Sequence, residues 1–197
     1  AARQVMTDDR GNAVDGPADY RFYGDKAYWE GRYKGAEKKE EWYGVGYDDL
    51  KALIELYVPR DEGAAVLEVG CGTSALLSSM AADGYEGVLL GIDYSPSAID
   101  RMRGGSKLPG NLRFEVMDAG AMEGLGDASV AAVMEKATLQ GAFSDDSTCE
   151  AGERMVAEMG RVVRPGGTIL SFSGLDPNDE SEGKNGIVFL EDVLLPA

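Results

Sequence analysis

The sequence predicts a doubly wound α/β domain whose sheet is mostly parallel. From Ala64 onward, short apolar runs alternate with stretches of helical periodicity, and this order places helices on both faces of a parallel sheet. The first apolar run, 64–69, opens into a glycine-rich turn, which is typical of a buried parallel strand. The length of 197 residues, with 44% hydrophobic and 27% charged residues, suits one domain with an ordinary core.

The chain divides into a loose polar arm over residues 1–19 and a single domain over residues 20–197. Within this domain we expect a helical lid, rich in aromatic residues, over 20–60 and a sheet-containing core over 61–197. A first lid helix is indicated by the spacing of Tyr28, Trp29, Arg32 and Tyr33. A second begins with Asp48 or Asp49 as N-cap and ends at Pro59. Its predicted apolar stripe consists of Leu50, Leu53, Ile54 and Tyr57.

In the core we predict five strands, at 64–69, 88–92, 112–117, 129–134 and 168–172. Helices are predicted over 73–83, from Ser95-Pro96 onward, and after a capping box at 147–150. A turn at Arg164-Pro165-Gly166-Gly167 leads into the last of these strands. We expect a polar loop over 176–186 and one more strand or helix over 186–195.

The charged and polar composition excludes several function classes. The chain has no histidine and only two cysteines, Cys71 and Cys149, so we expect no imidazole base, no disulfide scaffold and no metal site. The net charge of −16 disfavours a nucleic-acid substrate and would attract a basic protein, although it also serves solubility. No run suits a membrane span or a signal peptide. We therefore expect a cytoplasmic monomer, or an organellar one if a targeting peptide has been removed.

Two features at strand ends indicate a nucleoside cofactor. Gly70 and Gly72 permit a tight turn and close approach of the backbone to a ligand. Asp93 follows about 20 residues later at the end of the second strand, where a carboxylate can accept hydrogen bonds from ribose hydroxyls. Each feature alone could be an ordinary turn, whereas their spacing favours binding.

Two further carboxylates bear on which cofactor is bound. Glu68, two residues before the first glycine, would oppose the pyrophosphate of NAD. It suits S-adenosylmethionine (SAM), which carries an ammonium and a sulfonium and no phosphate. Asp118 lies where an adenine amino group could donate to it, or else serves as a cap or turn residue.

Several stretches within residues 27–174 together form a recognisable pattern: Tyr28-Trp29-Glu30-Gly31-Arg32-Tyr33, Glu41-Trp42-Tyr43, 66–74, 91–95, Glu135-Lys136-Ala137-Thr138-Leu139 and 164–167. With these stretches the chain resembles class I SAM-dependent methyltransferases, within them the eukaryotic protein lysine methyltransferases that act on elongation factor 1-alpha and citrate synthase. The resemblance implies a Rossmann-like fold and SAM as cofactor, with S-adenosylhomocysteine (SAH) as product. The cofactor contacts it implies are Trp29, Tyr33, Trp42, Gly70, Asp93, Tyr94, Asp118, Ala119 and Lys136.

The resemblance and the residues together predict methyl transfer to a lysine of a basic protein. The aromatic rings of the lid could cover a sulfonium or simply pack against the sheet. Glu135, at the end of the fourth strand, is the candidate to orient the incoming amine, its alternative being an ion pair or helix cap. The family continues Gly-Thr-Leu-Asp-Ala after the lysine, whereas this chain has Gln140 in place of the aspartate. It also matches poorly after Gly174, where the family closes its sheet with an antiparallel hairpin that we expect to be incomplete here.

Three alternative functions remain open at this point. They are a small-molecule methyltransferase on the same fold, a non-catalytic SAM-binding module, and an NAD-dependent oxidoreductase, against which Glu68 argues.

Overall fold

The computed structural model describes residues 6–7, 13–14, 23–35, 41–104, 107–144 and 149–173. In the predicted arm, β1 (Met6–Thr7) pairs antiparallel with β2 (Ala13–Val14). Several predictions lie outside the described residues: the capping residues Ser147 and Thr148, the loop 176–186, the element 186–195 and the C-terminal hairpin.

Five strands of the described residues form a parallel sheet. They are β3 (Val66–Val69), β4 (Leu89–Asp93), β5 (Leu112–Val116), β6 (Val130–Lys136) and β7 (Val163–Phe172). Their spatial order is β5-β4-β3-β6-β7, and each neighbouring pair is parallel. The order reverses between β3 and β6, so the switch point lies beside the carboxyl end of β3. The predicted doubly wound α/β fold is confirmed.

Helices cover both faces of this sheet. On one face, α2 (Tyr47–Tyr57), α3 (Leu76–Ala82) and α4 (Pro96–Arg103) share a hydrophobic core with the strands. On the other face, α5 (Thr138–Ala142) and α6 (Glu150–Val162) share a second core. Helix α1 (Lys26–Gly35) packs against α4. No helix in the described ranges is both long and apolar enough to cross a membrane.

Helix α2 differs from the prediction in its start and its buried face. It begins after Gly46 and not after Asp48 or Asp49, because the carboxylate of Asp49 reaches back to accept the Gly46 N–H at 2.9 Å. Leu53 and Tyr57 of the predicted stripe are exposed. The inward positions follow helical spacing from the observed start: Tyr47, Leu50, Ile54 and Val58.

The start of α4 follows the sequence signals, whereas the start of β7 does not. Ser95 caps α4, and its hydroxyl accepts the Ala98 N–H at 3.2 Å as predicted. Strand β7 starts earlier than predicted, since Val163 already pairs with β6. The predicted turn lies inside it as an irregularity, with Gly166 at a φ of +76°.

Candidate functional site

Strand register brings the predicted polar residues to one edge of the sheet. Val69, the last residue of β3, lies opposite Ile92 on one side and Glu135 on the other. Asp93 ends β4 and is paired with Val116 of β5. The glycine loop, Asp93 and Glu135 therefore meet at the carboxyl edge, beside the switch point where ligands of such sheets bind.

The glycine loop has a backbone that other residues would not tolerate. Gly70 and Gly72 have φ angles of +63° and +48°, a region that costs other L-residues about 1–2 kcal/mol. A Cβ on Gly70 would lie 2.2 Å from the Thr138 hydroxyl, and one on Gly72 would lie 2.4 Å from the Tyr33 hydroxyl. Both glycines are thus required by conformation and by space.

Asp93 supports the same loop from the neighbouring strand. Its carboxylate accepts the Gly72 N–H at 2.9 Å and the Ser95 N–H at 2.8 Å. The side chain is buried, and burial raises its pKa above the ordinary value. Asp93 therefore fixes the loop whether or not a ligand is present.

A pocket lies between the loop and the aromatic residues of the lid. It is lined by Tyr33, Trp42, Glu68, Gly70, Cys71, Gly72, Thr73, Ser74 and Lys136. Glu68 is 2% exposed, and its Oε2 atom accepts no hydrogen bond from the described residues. Burial raises its pKa to about 8, against the attraction of Lys136. The lining of the pocket thus includes a buried carboxyl group with one oxygen that receives no hydrogen bond from the described residues.

Lys136 lines this pocket, but its ammonium is directed to the lid. It donates to the Glu41 carboxylate and, at 2.8 Å, to the Val45 carbonyl. The side chain is 3% exposed. Its observed partners therefore hold residues 41–45 against the end of β6.

The aromatic residues of the lid pack against one another, and two of them also line the pocket. Trp29 stacks on Tyr33 at 6.0 Å between ring centroids and meets Trp42 edge-on at 5.5 Å. Its indole N–H donates to the Tyr23 carbonyl at 2.8 Å. Tyr33 and Trp42 face the pocket, whereas Trp29 packs behind them.

Three predicted cofactor contacts follow the ends of β4 and β5 and do not belong to the pocket lining. Tyr94 is half-buried, with the Lys26 ammonium 5.2 Å from its ring centroid. Asp118 is exposed and forms a turn in which its carboxylate accepts the Gly120 N–H at 2.8 Å. Ala119 packs against the second core. Their contacts with a cofactor stay predictions.

Glu135 ends up beside the pocket and caps the start of α5. Its Oε2 accepts the N–H groups of Thr138 at 3.0 Å and Leu139 at 3.1 Å, while Oε1 accepts the Ser171 hydroxyl. It is 1% exposed, and burial raises its pKa. These contacts give it a structural task, and its part in catalysis stays a prediction.

Sequence reasoning missed two carboxylates of the lid. Glu41 accepts the Ala75 N–H at 2.8 Å in addition to its bond with Lys136. Glu30 of α1 accepts the hydroxyls of Ser95 at 2.5 Å and Ser97 at 2.6 Å, and these bonds lower its pKa to about 2. Both residues stand in the quoted aromatic stretches, but partners 34–95 residues away are invisible to local patterns.

A family model described as a methyltransferase domain matches residues 60–182. The chain belongs to this methyltransferase-domain family. The match covers the glycine loop, Asp93 and Glu135 of the domain, and it confirms the predicted resemblance to methyltransferases.

Two curated relatives of this methyltransferase domain are named as protein methyltransferases. The eEF1A lysine and N-terminal methyltransferase of Bos taurus is 36% identical over 163 residues, covering 80% of this chain and 22% of the relative. The mitochondrial citrate synthase-lysine N-methyltransferase of Homo sapiens is 29% identical over 161 residues, covering 70% of this chain and 63% of the relative. The chain thus spans about a fifth of the length of the first relative.

A solved structure shows the same fold. The phosphoethanolamine N-methyltransferase 2 of Haemonchus contortus, in complex with phosphomonomethylethanolamine and SAH, matches with a TM-score of 0.54 and 16% identity. The match covers 89% of this chain and 41% of that one. At this identity the likeness concerns the fold alone.

Proposed function

We propose that the chain is a SAM-dependent methyltransferase that transfers a methyl group to a lysine side chain of a basic protein. The observation that carries the proposal is the buried Glu68 carboxyl, which lines the pocket beside the glycine loop and whose Oε2 has no hydrogen-bond donor among the described residues. Leaving a buried acceptor without a donor is costly, and a ligand ammonium would supply one. The relatives named as lysine methyltransferases support the choice of reaction.

The residues of the site fit SAM and oppose a dinucleotide. Gly70 and Gly72 adopt the left-handed φ angles of the tight loop, and both line the pocket. Glu41 is paired with Lys136, whereas burial raises the pKa of Glu68 to about 8. A cation bound beside Glu68 would favour its ionised form, and a pyrophosphate would not. Asp93 keeps lone pairs for ribose hydroxyls at the adjacent strand end. Bound SAM would supply a methyl group already activated on sulfur.

The task of the protein is alignment and not strong base catalysis. Transfer of an activated methyl needs the nucleophile in line with methyl and sulfur, and the chain has no histidine to act as base. A lysine amine must arrive neutral, and a site walled by Tyr33 and Trp42 would lower its pKa by desolvation.

Transfer of labelled methyl to a protein tests the proposal directly. The chain is incubated with methyl-labelled SAM and a cell lysate, and the protein and small-molecule fractions are counted separately. Label on lysine in the protein fraction is expected. Label confined to small molecules would identify the rival, a small-molecule methyltransferase, and no label in either fraction would leave only a SAM-binding module.

Affinity for SAH is expected to rise with pH up to about 8. In the free chain burial holds the pKa of Glu68 at about 8, and a bound ammonium would lower it because it favours the carboxylate. Binding therefore releases a proton below pH 8, so the contribution of Glu68 raises affinity by at most about tenfold per pH unit there and levels off above. Calorimetry between pH 6 and 9 measures this dependence.

The control for this prediction is Glu68→Gln, which keeps the shape and cannot titrate. The ligand has its own α-amino group, which titrates near pH 8, and the variant isolates that part. Equal pH dependence in both proteins would remove Glu68 from the binding site.

Glu135→Gln is expected to cut turnover by more than it weakens SAH binding. The amide offers one acceptor oxygen where the carboxylate has two. Either the hydrogen bond from the Thr138 N–H or the one from the Ser171 hydroxyl therefore loses its acceptor. If Glu135 orients the amine, turnover falls by about 100-fold with the affinity for SAH nearly unchanged. Equal losses of turnover, affinity and thermal stability would leave it as a helix cap.

We also infer that residues 20–60 act as a lid on a core formed by 61–197. The contacts of Glu41, Trp42 and Val45 with the core support this division. The cytoplasm is the compartment we propose, and subcellular fractionation decides between it and an organelle.

A further inference from the structure

Glu41 joins three parts of the molecule that are far apart in sequence. Its Oε1 accepts the N–H of Ala75, directly after the glycine loop, at 2.8 Å. Its Oε2 accepts a hydrogen bond from the Lys136 ammonium at the end of β6. A single carboxylate thus connects the lid to the loop and to the neighbouring strand across the switch point.

The buried position of Lys136 makes this connection energetically important. In the described part of the chain its hydrogen bonds go to Glu41 and to the Val45 carbonyl, both in the segment 41–45. Its side chain is 3% exposed. The Glu41 side chain is 26% exposed, so the pair is buried on the lysine side. Removing Glu41 would leave the buried Lys136 ammonium as an uncompensated charge, so the segment and Lys136 hold each other in place.

The segment between these contacts presents Trp42 to the pocket. Trp42 lines the pocket beside Tyr33, and the next residue, Tyr43, has the left-handed φ of 61°. The Tyr43 hydroxyl donates to the Gln140 side-chain carbonyl at 2.5 Å. A strained backbone of this kind persists only where surrounding contacts determine it, and Glu41 and Val45 provide such contacts on either side.

We propose that Glu41 is a positioning residue that fastens segment 41–45 to the glycine loop and to Lys136, and thereby sets the affinity of the pocket for its cofactor. The inference rests on the proposed function for the identity of that cofactor. Glu41 acts through Ala75, Lys136 and the adjoining Trp42, and it has no part in the chemical step.

The test compares Glu41→Ala with the unaltered chain in two measurements. Calorimetric titration gives the Kd for SAH, which we expect to rise by about tenfold or more. Amide hydrogen exchange by NMR, without ligand, follows Ala75, whose N–H is bonded to Glu41. We expect that amide to exchange about tenfold faster or more.

The matched control is Glu62→Ala, since Glu62 is an exposed acid outside the site. It makes the same change in side chain and charge and should leave both measurements unaltered. Lys136→Met completes a double-mutant cycle with Glu41→Ala. The variant that carries both substitutions should bind SAH with no lower affinity than the single variant that binds it less tightly. If Glu41→Ala does not fold, Glu41→Gln, which keeps an acceptor for Ala75 and loses the charge facing Lys136, takes its place.

The outcomes separate this inference from the proposed function. An unchanged SAH affinity in the Glu41 variant, with the unaltered chain binding SAH, overturns the inference alone. Equal effects of the Glu41 and Glu62 variants overturn it as well. Failure of the unaltered chain to bind SAH overturns the proposed function together with the inference.

Discussion

Gly70→Ala is expected to lower the free energy of unfolding by about 2–5 kcal/mol and to abolish measurable cofactor binding. The alanine must adopt a φ of +63°, and its Cβ would lie 2.2 Å from the hydroxyl and 2.3 Å from the methyl of Thr138. Thr138 cannot move freely, because its hydroxyl donates to the Val69 and Gly70 carbonyls. Thermal and urea unfolding, followed by SAH titration, measure both effects.

The matched control for this prediction is Gly160→Ala in α6. A Cβ there meets nothing within 4 Å, and alanine in a helix interior stabilises by about 0.5–1 kcal/mol relative to glycine. A Gly70 variant as stable as the unaltered chain would mean that the loop adopts another conformation. The variant Gly70→Ala/Thr138→Gly should recover the part of the loss due to crowding and retain the part due to φ.

Asp93→Ala is expected to weaken SAH binding by about 100-fold or more and to destabilise the free chain by about 2–6 kcal/mol. The carboxylate accepts two buried backbone N–H groups, from Gly72 and Ser95, and each would be left without a partner at about 1–3 kcal/mol. The proposed bonds to the ribose would be lost in addition. Titration with SAH and urea unfolding give the two values.

Asp100→Ala provides the comparison for Asp93. It removes an exposed carboxylate from α4, so affinity and stability should change little. The SAH affinity and the stability of Asp93→Asn should fall between those of Asp93→Ala and those of the unaltered chain, since the amide keeps one acceptor oxygen. Loss of stability with full SAH affinity in Asp93→Ala would confine Asp93 to supporting the loop.

The arrangement of strands was predictable from the sequence because it depends on local patterns. Runs such as Val66–Val69 and Leu89–Asp93 are wholly buried, and continuous apolar runs between helical segments indicate parallel strands. The Ser95-Pro96 start of α4 follows from capping chemistry within four residues. Asp93 was placed correctly for the same reason, since it directly ends a strand.

Predictions failed where a local pattern competed with tertiary contacts. The prediction for α3 began at Thr73, but residues up to Ala75 belong to the turn and the helix starts at Leu76. Helix α5 was not predicted, since it has five residues and follows Ala137 at a left-handed φ of 66°. Its start depends on Glu135, whose carboxylate binds two of its N–H groups.

Site residues that act across long sequence distances could not be found from one sequence. Glu30 and Glu41 appear as ordinary charged residues between aromatics, and their partners Ser95 and Lys136 lie 65 and 95 residues away. The resemblance drew attention to these stretches without assigning the two carboxylates a task. Only the folded arrangement shows that both attach the lid to the carboxyl edge of the sheet.

Calorimetric titration of the chain with SAH, with NADH as the comparison ligand, tests the central claim most directly. The buried Glu68 carboxyl, whose Oε2 has no donor among the described residues, and the glycine loop predict tight binding of SAH, whose ammonium would favour ionisation of Glu68. They predict no measurable binding of NADH, whose pyrophosphate would be repelled by the ionised form of Glu68. Binding of NADH in preference to SAH, or of neither ligand, would contradict the account and leave the methyltransferase-domain fold without its proposed activity.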